Sequence, residues 1–196
     1  MTQIVTITDD YDVAVGDGGS KTENPTTTLV IGIFISNIGR GALRFPLTDA
    51  PGGTPILVEL IVQVLTASSS ANATQIRPYN TDGQTDPSGD TGATGYSRCN
   101  TGSSMGTVPS NSTGVKTIDI TNGAASLIAS AKSAVGRFTV ALKSANEASA
   151  NFSPFYAFKN YSSAHTNPQL RLTYADAEVD LLRAHPRMMF GARRSR

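Results

Sequence analysis

The sequence lacks most of the residue types that support catalysis, metal binding or covalent cross-linking. It contains no tryptophan, two histidines and one cysteine among 196 residues. A single cysteine, Cys99, can form neither an internal disulfide nor a zinc site, so the fold depends on neither. The histidines, His165 and His185, fall in a turn and in the C-terminal tail, where we expect solvent-facing or interface roles. Aromatic residues make up only 7% of the chain, which counts against a surface that stacks sugars.

Long apolar segments are also missing. No apolar run approaches the ~18 residues that a membrane-spanning helix requires. The first residues, MTQIVTITDDYD, lack the basic and apolar regions of a signal peptide. We therefore expect a protein made in the cytoplasm that does not enter a membrane.

Charge is sparse and unevenly distributed. Charged residues make up 16% of the chain and hydrophobic residues 39%, a mixture too apolar for disorder and typical of a domain with many turns. Five arginines and no acid follow residue 182, whereas residues 1–182 carry 11 basic against 15 acidic side chains. We therefore divide the chain into a mildly acidic body, residues 1–178, and a basic tail, residues 179–196.

Apolar residues alternate with polar ones along several short segments, the period expected of β-strands. The clearest case is 56–65, in which Ile56, Val58, Leu60, Val62 and Val64 share one face. The predicted strands are 2–8, 11–15, 29–35, 42–47, 56–65, 74–79, 115–120, 137–143, 155–158 and 169–174. Turn residues separate them at the spacing typical of a sandwich or jelly roll.

One short helix is predicted inside this all-β body. Ala124, Leu127, Ile128 and Ala131 recur at helical spacing, and Thr121 is a candidate N-cap. Gly136 is expected to end the helix. We therefore predict an antiparallel jelly-roll β-sandwich with one short helix and an extended C-terminal tail.

A polar stretch interrupts the body. Residues 66–114 are rich in Ser, Thr, Gly, Asn and Asp, and their large anchors are Ile76, Tyr79, Tyr96 and Met105. So long a segment with little apolar patterning predicts a displayed surface loop or an insertion, at about 80–114.

Two patterns in this stretch are candidates for chemical sites. Residues 102–106 fit G-x-S-x-G, but a nucleophile elbow needs a buried strand before the serine and a helix after it, so we interpret them as a loop. Asp82, Asp86 and Asp90 are spaced carboxylates beside a glycine, a combination that can wrap calcium. The full calcium-loop pattern with its closing glutamate is missing, so we interpret them as turn residues. We expect no catalytic residue, no metal and no cofactor.

The order of the elements resembles a known family. The segments that carry this resemblance are 29–32, 41–47, 56–65, 118–121, 136–142 and 158–174. Gly41–Leu47 (GALRFPL) is similar to a strand of DNRLRE-type jelly-roll domains, and 158–174 resembles their closing element. The match covers roughly residues 20–175. It implies a jelly-roll fold related to carbohydrate-binding modules of bacterial surface proteins, so surface glycans are a possible ligand, with Tyr79, Tyr96, Tyr156 and Tyr161 as candidate sugar-stacking residues.

The tail combines apolar and basic residues without a helical period. This composition fits three interpretations: a frayed terminus, a nucleic-acid-binding segment and an anchor for a protein partner. The acidic body argues against nucleic acid. We favour the anchor, in which apolar side chains fill a pocket and arginines pair with its acidic rim. The predicted partner-binding residues are Arg187, Met188, Met189, Phe190, Arg193, Arg194 and Arg196.

A surface-module fold without a secretion signal suggests a bacteriophage structural protein, which is made in the host cytoplasm and acts on the virion. By analogy of fold and context we expect a non-enzymatic capsid decoration (cement) protein that binds the major capsid protein, as a homo-oligomer and preferably a trimer. The alternative is a carbohydrate-binding adhesion module of a phage fibre or cell surface.

Overall fold

Two antiparallel sheets packed face to face form the body of the protein, which confirms the predicted all-β sandwich. In this computed structural model the described residues are 2–23, 28–34, 37–67, 73–109, 111–147, 155–157 and 165–175. The tail, with all seven of its predicted partner-binding residues, lies outside them.

Thirteen strands are present among the described residues. The first sheet contains β1 (Gln3–Thr8), β4 (Thr28–Val30), β7 (Leu57–Thr66), β10 (Gly114–Asp119), β12 (Phe155–Ala157) and β13 (Gln169–Tyr174). The second contains β2 (Tyr11–Gly16), β3 (Lys21–Glu23), β5 (Gly32–Phe34), β6 (Asn37–Pro46), β8 (Thr74–Pro78), β9 (Gly106–Val108) and β11 (Arg137–Ser144). The chain passes repeatedly from one sheet to the other, as in a jelly roll.

Strand β7 is the centre of the first sheet. Its residue Glu59 pairs with Asp119 of β10 on one edge and with Arg171 of β13 on the other. Strand β12 continues the β13 edge beside Val64, and β1 pairs with β13 in unbroken register. In the second sheet β6 lies between β2 and β11, and β5 extends its β11 edge.

The apolar run 29–35 does not form the single strand that its composition predicts. It is divided into β4, which pairs with β12 in the first sheet, and β5, which pairs with β6 in the second. Ile31 lies between the two strands and is fully buried. An apolar run has no period, so it cannot reveal that the chain changes sheets within it.

The core lies between the sheets and follows the predicted alternation. Inward residues of β7 (Val58, Leu60, Val62 and Val64) are at most 1% exposed. The same holds for alternate residues of the neighbouring core strands: Leu43, Phe45, Phe138, Val140, Leu142, Leu170 and Leu172. Burial of each such side chain contributes about 1.5–3 kcal/mol. Ile56 is an exception, because β7 begins at Leu57 and leaves the Ile56 side chain 56% exposed.

The predicted helix is confirmed as α2, after a seven-residue α1 introduced below. Helix α2 (Thr121–Ala134) buries Ala124, Ile128 and Ala131, and Gly136, with φ of +68°, follows its end. Thr121 is not the N-cap. It is the first helical residue, and its hydroxyl accepts from the Val58 amide at 2.9 Å and donates to Asp119 at 2.6 Å. Thr121 therefore fastens the helix to β7.

Candidate functional site

Residues 79–105, here called the cap segment, cover the outer face of the second sheet. They contain a short 3-10 helix (Pro87–Gly89) and helix α1 (Gly92–Arg98), which packs on β2. Tyr79 and Cys99 are fully buried in a second apolar cluster with residues of β2, β6 and β11. Over residues 80–105, the stretch predicted as a displayed surface loop or an insertion therefore packs on the sheet, and it contains a second α-helix beside the one that the sequence predicts.

Capping residues and glycines explain why the cap segment folds. The Thr91 hydroxyl accepts from the Thr94 amide at the start of α1, and Asp86 accepts from the Ser88 amide at the 3-10 helix. A Cβ atom on Gly92 would overlap the carbonyl oxygen of Gly19 in the β2–β3 turn. Only glycine therefore allows α1 to approach the sheet this closely.

Arg44 of β6 joins the cap segment to the sheet. Its guanidinium donates to Asp86 at 2.9 Å and to Asp10 at 2.8 Å, and it lies 4.9 Å from the centre of the Tyr11 ring. Partial burial raises the pKa of the Asp86 carboxyl, but the hydrogen bonds from Ser88 and Arg44 outweigh burial and the pKa is lowered overall. Asp86 therefore stays ionised and holds the segment at neutral pH.

A second polar contact lies deeper, at Asp90. Its carboxylate accepts from the Tyr79 hydroxyl at 2.6 Å and forms an ion pair with Arg98. Burial, reinforced by this hydrogen bond, raises the pKa of Tyr79. Close by, the Cys99 thiol lies 3.5 Å from the carbonyl oxygen of Gly41, and burial raises its pKa to about 12. The thiol is therefore protonated and inaccessible to solvent, whereas a reactive cysteine is an exposed thiolate.

Arg40 forms the third attachment. Its guanidinium binds Glu147 through two hydrogen bonds of 2.7 Å and donates to the Tyr96 carbonyl at 2.6 Å. The Arg40 guanidinium carbon also lies 3.7 Å from the centre of the Tyr96 ring. This bidentate pair links α1, β6 and the segment after β11.

The cap segment removes two of the predicted sugar-stacking residues from the exposed surface. Tyr79 is fully buried and Tyr96 is covered on one face by Arg40, so neither belongs to an exposed aromatic platform. Tyr161 and the side chain of Tyr156 lie outside the part of the protein that the structure describes. This outcome could not be read from the sequence, because a tyrosine in a polar stretch carries no sign of which surface it meets.

The two chemical patterns of the cap segment are also placed. Ser104 precedes β9, with neither a strand before it nor a helix after it, so the nucleophile-elbow context is missing. Asp82 accepts from the Gln84 amide, while Asp86 and Asp90 bind the separate groups described above. Across the described residues, no group of three or more His, Cys, Asp and Glu side chains is placed to hold a metal ion.

An open groove lies at the opposite sheet, beside β1. It has a volume of about 290 Å³. Its walls are one edge of β1 and the turn after β6, and its lining residues are Val5, Thr6, Ile7, Thr8, Pro46, Thr48 and Asp49. Ile4, at the same edge, is 61% exposed. The groove is lined by both polar and apolar side chains and contains a single acidic residue, Asp49. Sequence patterning could not reveal the groove, because it is formed by two segments distant in the chain.

No protein-family model and no curated protein matches this chain. The resemblance to DNRLRE-type domains therefore remains an expectation from the sequence. In the described part of the chain, no helix has the length and apolar character needed to cross a membrane.

Proposed function

We propose that this protein is a non-enzymatic structural protein of a bacteriophage virion, a decoration protein that binds and stabilises the assembled head. The partner is the major capsid protein, and the protein acts on the capsid surface after synthesis in the host cytoplasm. A homo-oligomer, preferably a trimer, is part of this proposal.

The cap segment is the observation that carries the proposal. A sugar-stacking surface needs exposed aromatic rings, whereas the outer face of the second sheet is filled by the protein's own Tyr79, Tyr96 and Cys99. The Arg44–Asp86 ion pair and the hydrogen bond from Arg40 to the Tyr96 carbonyl join the segment to β6, and Asp90 bonds to Tyr79 within it. A sandwich closed on this face supports a rigid body that attaches to a partner through its edges and terminal segments better than it supports a ligand-binding cleft.

Attachment to an assembled head requires binding alone and no catalysed reaction. A protein that binds the closed shell and not its separated subunits stabilises the shell by mass action, by about 2.7 kcal/mol per site at 100 times the dissociation constant. The tail supplies the proposed anchor, with Met188, Met189 and Phe190 as the apolar part. The arginines at 187, 193, 194 and 196 supply complementary charge.

The test is to mix the purified full-length protein with virions stripped of accessory proteins. Retention on the particle and the temperature at which heads release DNA are measured. A version truncated after Arg183 and a triple variant, Met188→Ser, Met189→Ser and Phe190→Ser, are compared with a control in which the four arginines become alanine. We expect the full-length protein to bind and stabilise, and the truncated and triple-serine forms to fail at every salt concentration. The arginine control should bind more weakly, with a reduced salt dependence.

Binding of both full-length and truncated protein would keep the decoration function but would overturn the anchor role of the tail. If no form binds, the decoration function is wrong, and glycan binding becomes the question to test.

A further inference from the structure

The two long edges of the first sheet differ in how they are protected. Strand β10 carries Lys116 and Asp119, charges that discourage pairing with another strand. Strand β1, Gln3–Thr8, contains no charge, no proline and no bulge, and it consists almost wholly of β-branched residues. Among the described residues β1 pairs only with β13. Its other edge is therefore a template for strand pairing.

The hydrogen-bond pattern identifies the groups that this edge presents. The Asp9 amide donates to the Pro168 carbonyl, in register with the β1–β13 ladder. Bonding alternates along an antiparallel pair, so the odd-numbered residues of β1 bond to β13. The amide and carbonyl groups of Ile4, Thr6 and Thr8 consequently point to the open edge.

We propose that this edge pairs with the same edge of a second copy of the chain, antiparallel and about a two-fold axis at Thr6. In that register Ile4 meets Thr8 of the second copy and Thr6 meets itself. The Ile4–Thr8 and Thr6–Thr6 pairs are hydrogen-bonded pairs, because the amide and carbonyl groups of these three residues point to the open edge. Val5 meets Ile7, and these inward side chains enter the groove beside Pro46. Each pair between residues 4 and 8 consists of β-branched side chains, the combination that stabilises neighbouring strands.

Charge also favours a second copy as the occupant. In this register Asp9 and Asp10 come opposite Gln3 and Thr2 of the second strand, so no like charges face each other across the pair. Because β1 carries no charge, a charged strand from another partner would find no ion-pair partner on it, whereas a second β1 needs none. The pairing joins two first sheets into one continuous sheet and is independent of capsid binding. A two-fold contact gives a dimer, so the homo-oligomer of the proposed function would then be a dimer in place of the preferred trimer.

Substitutions at Thr6 test the axis directly. Thr6→Pro removes a donor at the open edge and leaves the β13 ladder intact. Thr117→Pro is the matched control, because Thr117 is exposed on β10 and, by the alternation set by the Ile120–Val58 bond, its amide points away from β7. By sedimentation equilibrium of the full chain from about 1 to 100 μM, we expect a monomer–dimer equilibrium for the unchanged protein and Thr117→Pro. For Thr6→Pro we expect at least tenfold weaker association.

A charge pair tests the register without risk to the fold. Thr6→Lys and Thr6→Glu, each alone, place like charges opposite each other and should remain monomeric, whereas an equimolar mixture should form a one-to-one dimer that high salt weakens. The proposal is overturned if the mixture associates no better than its components, if the unchanged protein is a monomer throughout, or if it forms a trimer that Thr6→Pro leaves intact. Virion binding is measured separately, so either proposal can fail without the other.

Discussion

Removal of the Asp90 carboxylate should open the cap segment and expose the chain's one thiol. Asp90→Ala leaves the buried Tyr79 hydroxyl without its acceptor and Arg98 without its ion-pair partner. A buried polar group that loses its partner costs about 1–3 kcal/mol. Since 1.36 kcal/mol is a factor of ten in population, the open form should become about 5–150 times more populated.

Cys99 reports this opening directly. Its side chain is fully buried and its pKa is raised to about 12, so a disulfide reagent can react only with molecules whose cap segment has opened. With the reagent in excess at pH 8, the labelling rate of Asp90→Ala should rise by the same factor. Asp119→Ala, which removes a carboxylate from the opposite sheet, is the control and should leave the rate nearly unchanged.

A double-mutant cycle separates the hydrogen bond from general weakening. Tyr79→Phe removes the hydroxyl, so Asp90→Ala should accelerate labelling less in that background than in the unchanged protein. The reasoning is refuted if Asp90→Ala labels at the unchanged rate, or if the unchanged protein labels as fast as the unfolded chain.

Three further outcomes are expected. Gly83→Ala and Gly114→Ala both force alanine to a positive φ, but a Cβ atom on Gly83 would also overlap a buried ring whereas that on Gly114 meets open space; the first should lower stability to urea by about 1–3 kcal/mol more than the second. Glu147→Ala leaves the nearly buried Arg40 guanidinium without its ion-pair partner and should lower the free energy of unfolding by about 3–5 kcal/mol. A decrease of less than about 1 kcal/mol, measured by calorimetry, would contradict this. The fold lowers the pKa of Asp86 from its usual value of 3.8, so the stabilisation by this carboxylate is present above pH 3.8 and is lost as the pH falls through the lower folded pKa. Asp86→Asn should therefore make the melting temperature fall less steeply as the solution is acidified. An equally steep fall would count against the ion pair.

Local periodicity was sufficient to predict most of the sandwich. The strand 169–174 has the predicted bounds, and β7 differs by one residue at each end. These strands are half-buried or central, so the two-residue period of their side chains records which face meets the core.

The cap segment escaped prediction for a physical reason. Helix α1 buries Gly92 and Gly95, so its buried face consists of glycines and leaves no apolar stripe to detect. The contacts that fasten the cap segment to the sheet join residues far apart in sequence, such as Arg44 with Asp86 and Arg40 with the Tyr96 carbonyl. Contacts of that kind are set by tertiary structure and have no local signature. The sequence predicts Tyr79 and Tyr96 as anchors in a polar stretch, but it does not predict which surface each ring contacts.

The pairing of β1 with β13 has a practical consequence for protein display. Gln3 and Tyr174 are direct partners in the ladder, so their Cα atoms are about 5 Å apart. A cargo domain fused ahead of residue 3 would emerge from the same corner of the sandwich as the chain that follows Ala175. A circular permutant joining these two points, without the tail, would need only a short linker. Its new ends can be opened at the opposite end of the first sheet, such as at the exposed residues 111–113, which precede β10 where it pairs with Val64. Cargo moved to that turn would then be carried well away from the shared corner.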